Sequence, residues 1–227
     1  YYVPPFNVTF GTAVAQDGRV YVPVSISQCV REPAAATLAI WSLAGGPVEE
    51  ASFTPTCGAL NVSLPLYPQY VLGGTVFVRA NVTFRSGDRL GYVISASQIP
   101  LRYNLTLRFL NATLLRNGTV VLTLAYSSPL PLLVSFGSLQ VINWNLSAFV
   151  VDGCSGQVQG GLLQPSQAGR AYVIVQGCTY ENGEAWVGGD LLGVYGRARL
   201  TFLSPAGNAS LTVGVNGTFI WRGEATP

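Results

Sequence analysis

Thr75-Val76-Phe77-Val78-Arg79-Ala80-Asn81-Val82-Thr83-Phe84 is the stretch on which the fold turns. Val76, Val78, Ala80, Val82 and Phe84 share one parity, while Arg79, Asn81 and Thr83 take the other. Successive side chains of a pleated strand leave opposite faces, so a period of two predicts a β-strand with one buried and one wet face. The wet face carries Asn81-Val82-Thr83, an acceptor for N-linked sugar. Ser86-Gly87-Asp88 then predicts a turn into a second strand at Leu90–Ser95.

The same reading extends along the chain in both directions. Val20, Val22, Val24 and Ile26 alternate after an Asp17-Gly18 hairpin signal, with Pro23 marking an edge or a bulge. Asn61–Leu64, Tyr103–Phe109, Val120–Tyr126, Arg197–Leu203 and Leu211–Trp221 read as further strands. Ala34–Leu43 reads as a strand or a helical turn, and Pro65 and Pro68 bound a loop. No helical period persists over 11 residues or more. At the extreme terminus, Tyr1–Phe10 places Tyr2, Phe6, Val8 and Phe10 on one face and Asn7 and Thr9 on the other. Such a strand completes either its own domain or a neighbour's.

The pattern restarts midway. Pro5–Phe10 resembles Leu101–Leu107, Asp17-Gly18 resembles Asn117-Gly118, Gly74–Val78 resembles Gly169–Val173, and Ser86-Gly87-Asp88 resembles Asn182-Gly183-Glu184. This predicts an all-β chain of two tandem antiparallel, immunoglobulin-like β-sandwich domains with a seam near Ile99-Pro100. The expected parts are an N-terminal strand over 1–10, a first sandwich over 11–99 and a second over 100–227. Each half holds one pair of cysteines, so Cys29–Cys57 and Cys154–Cys178 are the expected disulfides. The chain-entropy model assigns such loops about 3–4 kcal/mol each.

Nine of the eleven asparagines begin Asn-X-Ser/Thr: Asn7, Asn61, Asn81, Asn104, Asn111, Asn117, Asn145, Asn208 and Asn216. Chance would give about one or two such acceptors. Within the strand-like runs the acceptors fall on the polar parity. Covalent N-glycans are therefore expected, and they would solubilise a surface that charge alone does not. Only 10% of the residues are charged, and the mean hydropathy is +0.38. No apolar run approaches the roughly 18 residues of a membrane span. With no Met, we read the chain as a secreted protein whose signal has been removed.

The composition excludes much chemistry. There is no His and no Lys, which removes Ser-His-Asp and Cys-His arrangements and Schiff bases. No glycine-rich phosphate loop is present. The closest carboxylates, Glu49-Glu50 and Glu181/Glu184, carry no mark of the facing pair that a glycosidase requires. Without His or Cys-x-x-Cys spacing, a metal site is not expected, nor is any cofactor. A net charge of +2 with scattered arginines does not suit nucleic acid. Trp41, Trp144, Trp186 and Trp221 read as core residues before they read as a sugar platform. No enzymatic role is expected.

The terminal strand Tyr1–Phe10, the nine acceptors and the all-β layout together resemble the subunits of archaeal donor-strand filaments, of the thread and bundling-pilus type. That resemblance implies an extracellular, glycosylated filament subunit that polymerises with identical copies by lending its N-terminal strand. Tyr2, Phe6, Val8 and Phe10 would then be the donor side chains. Two other roles remain open: a surface-layer or adhesin module, or a secreted sugar-binding protein, each with the N-terminal strand paired in its own domain.

Overall fold

The computed structural model describes residues 3–42, 45–181, 185–205 and 207–223. The chain is all-β, and it divides into two compact units, Tyr1–Tyr103 with Ser204–Gly207, and Asn104–Leu203 with Asn208–Pro227. The expected seam at Ile99-Pro100 instead lies inside a strand. Ile99 and Leu101 are both buried there, which carries the strand on to Arg102.

In the first unit the strands are β1 (Asn7–Phe10), β2 (Ala13–Gln16), β3 (Arg19–Ser27), β4 (Pro33–Trp41), β5 (Pro47–Phe53), β6 (Gly58–Pro65), β7 (Thr75–Ser86) and β8 (Arg89–Arg102). β3 pairs β6 on one edge, and β1 and β2 in succession on the other. A second set runs β5-β4-β7-β8, all antiparallel. The two sets are linked where Ala13 and Val14 run parallel to Leu101 and Arg102. The expected alternation holds in both. Val20, Val22, Val24 and Ile26 of β3 are buried, as are Val76, Val78, Ala80 and Val82 of β7. Of the stretch Ala34–Leu43, the part up to Trp41 is strand, in β4, and Leu43 lies outside the described residues. The Pro65–Pro68 loop leads into one short helix, α1 (Pro68–Gly73), with Pro68 in its first turn. α1 stops at Gly74, whose φ of +68° suits a left-handed cap.

The second unit holds β9 (Thr106–Leu114), β10 (Val120–Ser128), β11 (Leu132–Asn143), β12 (Ala148–Leu163), β13 (Ser166–Gln176), β14 (Thr179–Tyr180), β15 (Leu191–Phe202) and β16 (Ala209–Ile220). Its main path is β16-β15-β11-β12-β13-β10-β9, with β14 on β12. The two ends of that path meet. A Cβ placed on Gly217 of β16 would lie 2.0 Å from the carbonyl oxygen of Phe109 in β9, so only glycine admits the approach. The sheet is thereby nearly barrel-like.

Both units share a pairing scheme: β3 with β6 parallels β10 with β13, β4 with β7 parallels β11 with β15, and β7 with β8 parallels β15 with β16. One sequence correspondence does not hold. Gly74–Val78 enters β7, between β4 and β8, whereas Gly169–Val173 lies in β13, between β10 and β12. Alternating strands resemble one another locally wherever they sit, so short matches do not fix equivalence. The turn Asn182–Glu184 lies outside the described residues.

Candidate functional site

The N-terminal strand is shorter than its parity suggests. Pro4 and Pro5 offer no N–H to a ladder, and pairing begins at Asn7. β1 lies antiparallel on β3, with Asn7 opposite Ser27, Val8 opposite Ile26, Thr9 opposite Ser25 and Phe10 opposite Val24. Phe6 is 1% exposed and meets Phe84 edge-on at 5.9 Å between ring centres. Val8 is buried and Phe10 half-buried. Tyr2 lies outside the described residues.

Beyond the ladder, few groups hold this segment. The Pro5 carbonyl accepts the Val30 N–H at 2.7 Å and the Arg31 N–H at 3.3 Å. On its outer edge the Val8 carbonyl accepts the Ser95 hydroxyl at 2.9 Å. Gly11 N–H donates to the Pro23 carbonyl at 3.0 Å, where the chain leaves β1 for β2. The strand is thus paired within its own unit, seated by buried Pro5, Phe6 and Val8 and one four-residue ladder.

The disulfides join the expected partners, Cys29 with Cys57 and Cys154 with Cys178. The first ties the end of β3 to the start of β6, immediately behind the seat of β1. Residues 1–28 lie outside the loop that it closes.

All nine acceptor asparagines are exposed. Asn7, Asn61, Asn81, Asn111 and Asn216 project from strands, each with a buried neighbour on the opposite face. Asn117 lies in the turn between β9 and β10, where its Oδ1 accepts the Thr119 N–H at 3.0 Å. Asn104 and Asn208 occupy connectors, outside the strands. Asn145 does not follow the parity argument. It lies in the turn after β11, with Trp144 and Leu146 exposed beside it, because the strand ends at Asn143. Its Oδ1 accepts the Leu191 N–H at 2.9 Å and leaves the amide nitrogen outward.

Asn143, which begins no acceptor motif, is wholly buried. Its amide donates to the Ala185 carbonyl at 2.5 Å and to Asp190 Oδ2 at 2.8 Å, and its Oδ1 accepts the Asn145 N–H at 3.1 Å. Sequence reasoning gave it no role. Its departure from the acceptor pattern was the one available signal.

The tryptophans divide. Trp221 is buried against Trp186, with ring centres 4.9 Å apart, and Trp41 is half-buried beneath the Arg79 guanidinium at 5.3 Å. Trp144 is exposed and meets Tyr195 edge-on. Within the second unit, Trp144 and the Trp186–Trp221 pair have different ring partners. Glu49 and Glu50 are consecutive on β5 and leave opposite faces, so they do not converge. Glu181 is exposed, and Glu184 lies outside the described residues. Among the described residues no group of three or more His, Cys, Asp or Glu could hold a metal ion. Among the described residues no helix is long and apolar enough to cross a membrane.

No family model matches the chain, and no curated protein matches it. Among solved structures, a DUF4785 family protein from Legionella pneumophila aligns over 91% of this chain and 56% of its own length, at 10% identity and a TM-score of 0.32. The chain thus spans little more than half of that protein. The YadV chaperone aligns over 95% of this chain and 100% of its own, also at 10% identity, with a TM-score of 0.25. Likenesses this slight assign neither a fold family nor an activity.

Proposed function

We propose that the chain is a subunit of an extracellular, N-glycosylated filament, built from two immunoglobulin-like β-sandwich units and polymerised by exchange of the N-terminal strand between identical copies. The observation that carries this reading is how β1 is held. The segment buries Phe6 and Val8, but its one ladder is four residues long and on one edge, and the bonds beside it are the Ser95 hydroxyl on the Val8 carbonyl and the Val30 and Arg31 N–H groups on the Pro5 carbonyl. It also lies outside both disulfide loops, so it can leave without any covalent bond breaking. The groove it vacates accepts the same strand from another copy through the same hydrogen bonds and side-chain pockets. Such head-to-tail exchange does not close on itself, and it generates an open polymer.

The shared pairing scheme of the two units supports the sandwich reading, and the outward placing of all nine acceptors supports the glycoprotein reading. A chain of this kind has a mechanical and adhesive role and needs no cofactor, nucleic acid or catalytic group.

The second reading is a surface-layer or adhesin module that keeps β1 in place. The intramolecular pairing of β1 with β3 favours it. The two are separated by a cross-link. Thr9 lies directly opposite Ser25, so Thr9→Cys with Ser25→Cys can form a disulfide across the β1–β3 pair. In material taken from the cell surface, strand exchange predicts covalent multimers on non-reducing gels. Cross-linked monomers alone would establish that β1 stays at home and leave the module reading.

A further inference from the structure

We infer that sugar transfer to Asn81 is completed before the sheet of the first unit forms, so that glycosylation at this position precedes folding. The inference deepens the glycoprotein reading and rests on it. In the transfer, a bond forms between Asn81 Nδ2 and the anomeric carbon of a lipid-linked oligosaccharide. The bond from that carbon to the phosphate leaving group breaks, and the proton shed by the amide passes to the transferase's base or to solvent. The acceptor rule also reads a hydroxyl two residues on, so the enzyme must reach Thr83 as well as Asn81.

In the folded chain neither is free to be handled. β7 is paired on both edges: Asn81 faces Thr37 of β4 on one side and Ile94 of β8 on the other. Thr83 faces Ala35 and Tyr92. Its hydroxyl donates to the Ala35 carbonyl at 3.2 Å and accepts the Ala35 N–H at 3.1 Å. The side chain of Asn81 is exposed, but the segment that carries it is locked. Lifting Asn81–Thr83 into an enzyme's groove requires both ladders to open at the strand that buries Val78, Ala80 and Val82. Openings of that depth approach global unfolding and exist in roughly 10⁻³ to 10⁻⁶ of molecules at any moment. Asn117 is the contrast, since it sits in an exposed turn between β9 and β10, held by local hydrogen bonds and by the Tyr180 hydroxyl on the Gly118 carbonyl rather than by a ladder on each side.

Early addition has a structural consequence. A one-residue slip of β7 against β4 would turn its whole polar set inward. A sugar already attached to Asn81 cannot enter a core, so it would fix which face of β7 the sheet buries.

The test uses unglycosylated chain, folded with both disulfides or reduced and unfolded, incubated with membranes of the producing cell that hold the transferase and its lipid-linked donor. Site occupancy is read by mass spectrometry of peptides. The expected result is modification of Asn117 in both states and of Asn81 in the unfolded chain, with Asn81 slower by about a hundredfold or more when folded. Comparable rates at Asn81 in both states would overturn the order. Sugar at neither site in either state would overturn the glycoprotein reading itself. A second measurement covers a chain that does not fold without sugar: nascent chains are trapped by thiol alkylation before Cys29 and Cys57 join. Asn81 already modified in those chains supports the inference. Bare Asn81 in them, with sugar only on disulfide-bonded chains, reverses it.

Discussion

Two buried polar side chains carry more of the structure than their number suggests. Asn143 satisfies the Ala185 carbonyl, Asp190 and the Asn145 N–H from a wholly buried position. Asn143→Ala leaves those groups unpaired, and the expected loss is about 1–3 kcal/mol, read as a lower denaturant midpoint with an unchanged slope. Tyr70 is the second. Its hydroxyl donates to the Trp41 carbonyl from a buried site on α1. Burial, with Tyr67 alongside, pushes its pKa up from 10.0 to about 12. Burial raises those of Tyr126 and Tyr180 as well. A raised pKa stabilises the fold fully while the unfolded phenol keeps its proton, below pH 10.0, and the contribution falls away as pH rises towards about 12. Tyr70→Phe should flatten the part of the alkaline unfolding curve that lies in this window. An unchanged slope there would mean that Tyr126 and Tyr180 carry the alkaline sensitivity.

At the level of elements, period-two alternation made the strands legible, because burial on one face is a local property of the sequence. β3, β7 and β10 all bury the residues their parity selects, whereas β16 buries Val215 and leaves Leu211 and Val213 half-buried. Termini and partners were harder to read. Pro4 and Pro5 shortened β1, and burial of Ile99 and Leu101 lengthened β8 beyond the expected seam. Alternation says which face is buried, not which strand lies alongside, and for that reason Gly74–Val78 and Gly169–Val173 looked equivalent. The β9–β16 seam left no trace in periodicity at all. It depends on Gly217, where any side chain meets the Phe109 backbone. Gly217→Val should force the seam apart, with an expected cost of about 1–3 kcal/mol. Faster amide exchange in β9 than in β11 is the accompanying signature, and equal rates would place the strain elsewhere. The seat of β1 was half legible: parity selected Phe6 and Val8, but whose groove they fill is a question of pairing.

For the molecule as a whole, cysteine position was the most legible long-range feature, since one pair in each half left a simple connectivity. The disulfides also determine how the chain behaves under load. Cys29–Cys57 and Cys154–Cys178 bridge separations of 28 and 24 residues. Those segments hold β4 and β5 in one unit and part of β12 with β13 in the other. A chain pulled from its ends cannot pay out the length inside a covalent loop. Single-molecule stretching before and after reduction should therefore differ by about 180 Å of contour per chain. A protein that serves as a tether would, by this device, stay short when overloaded, with about a quarter of its backbone held out of reach of the pulling force.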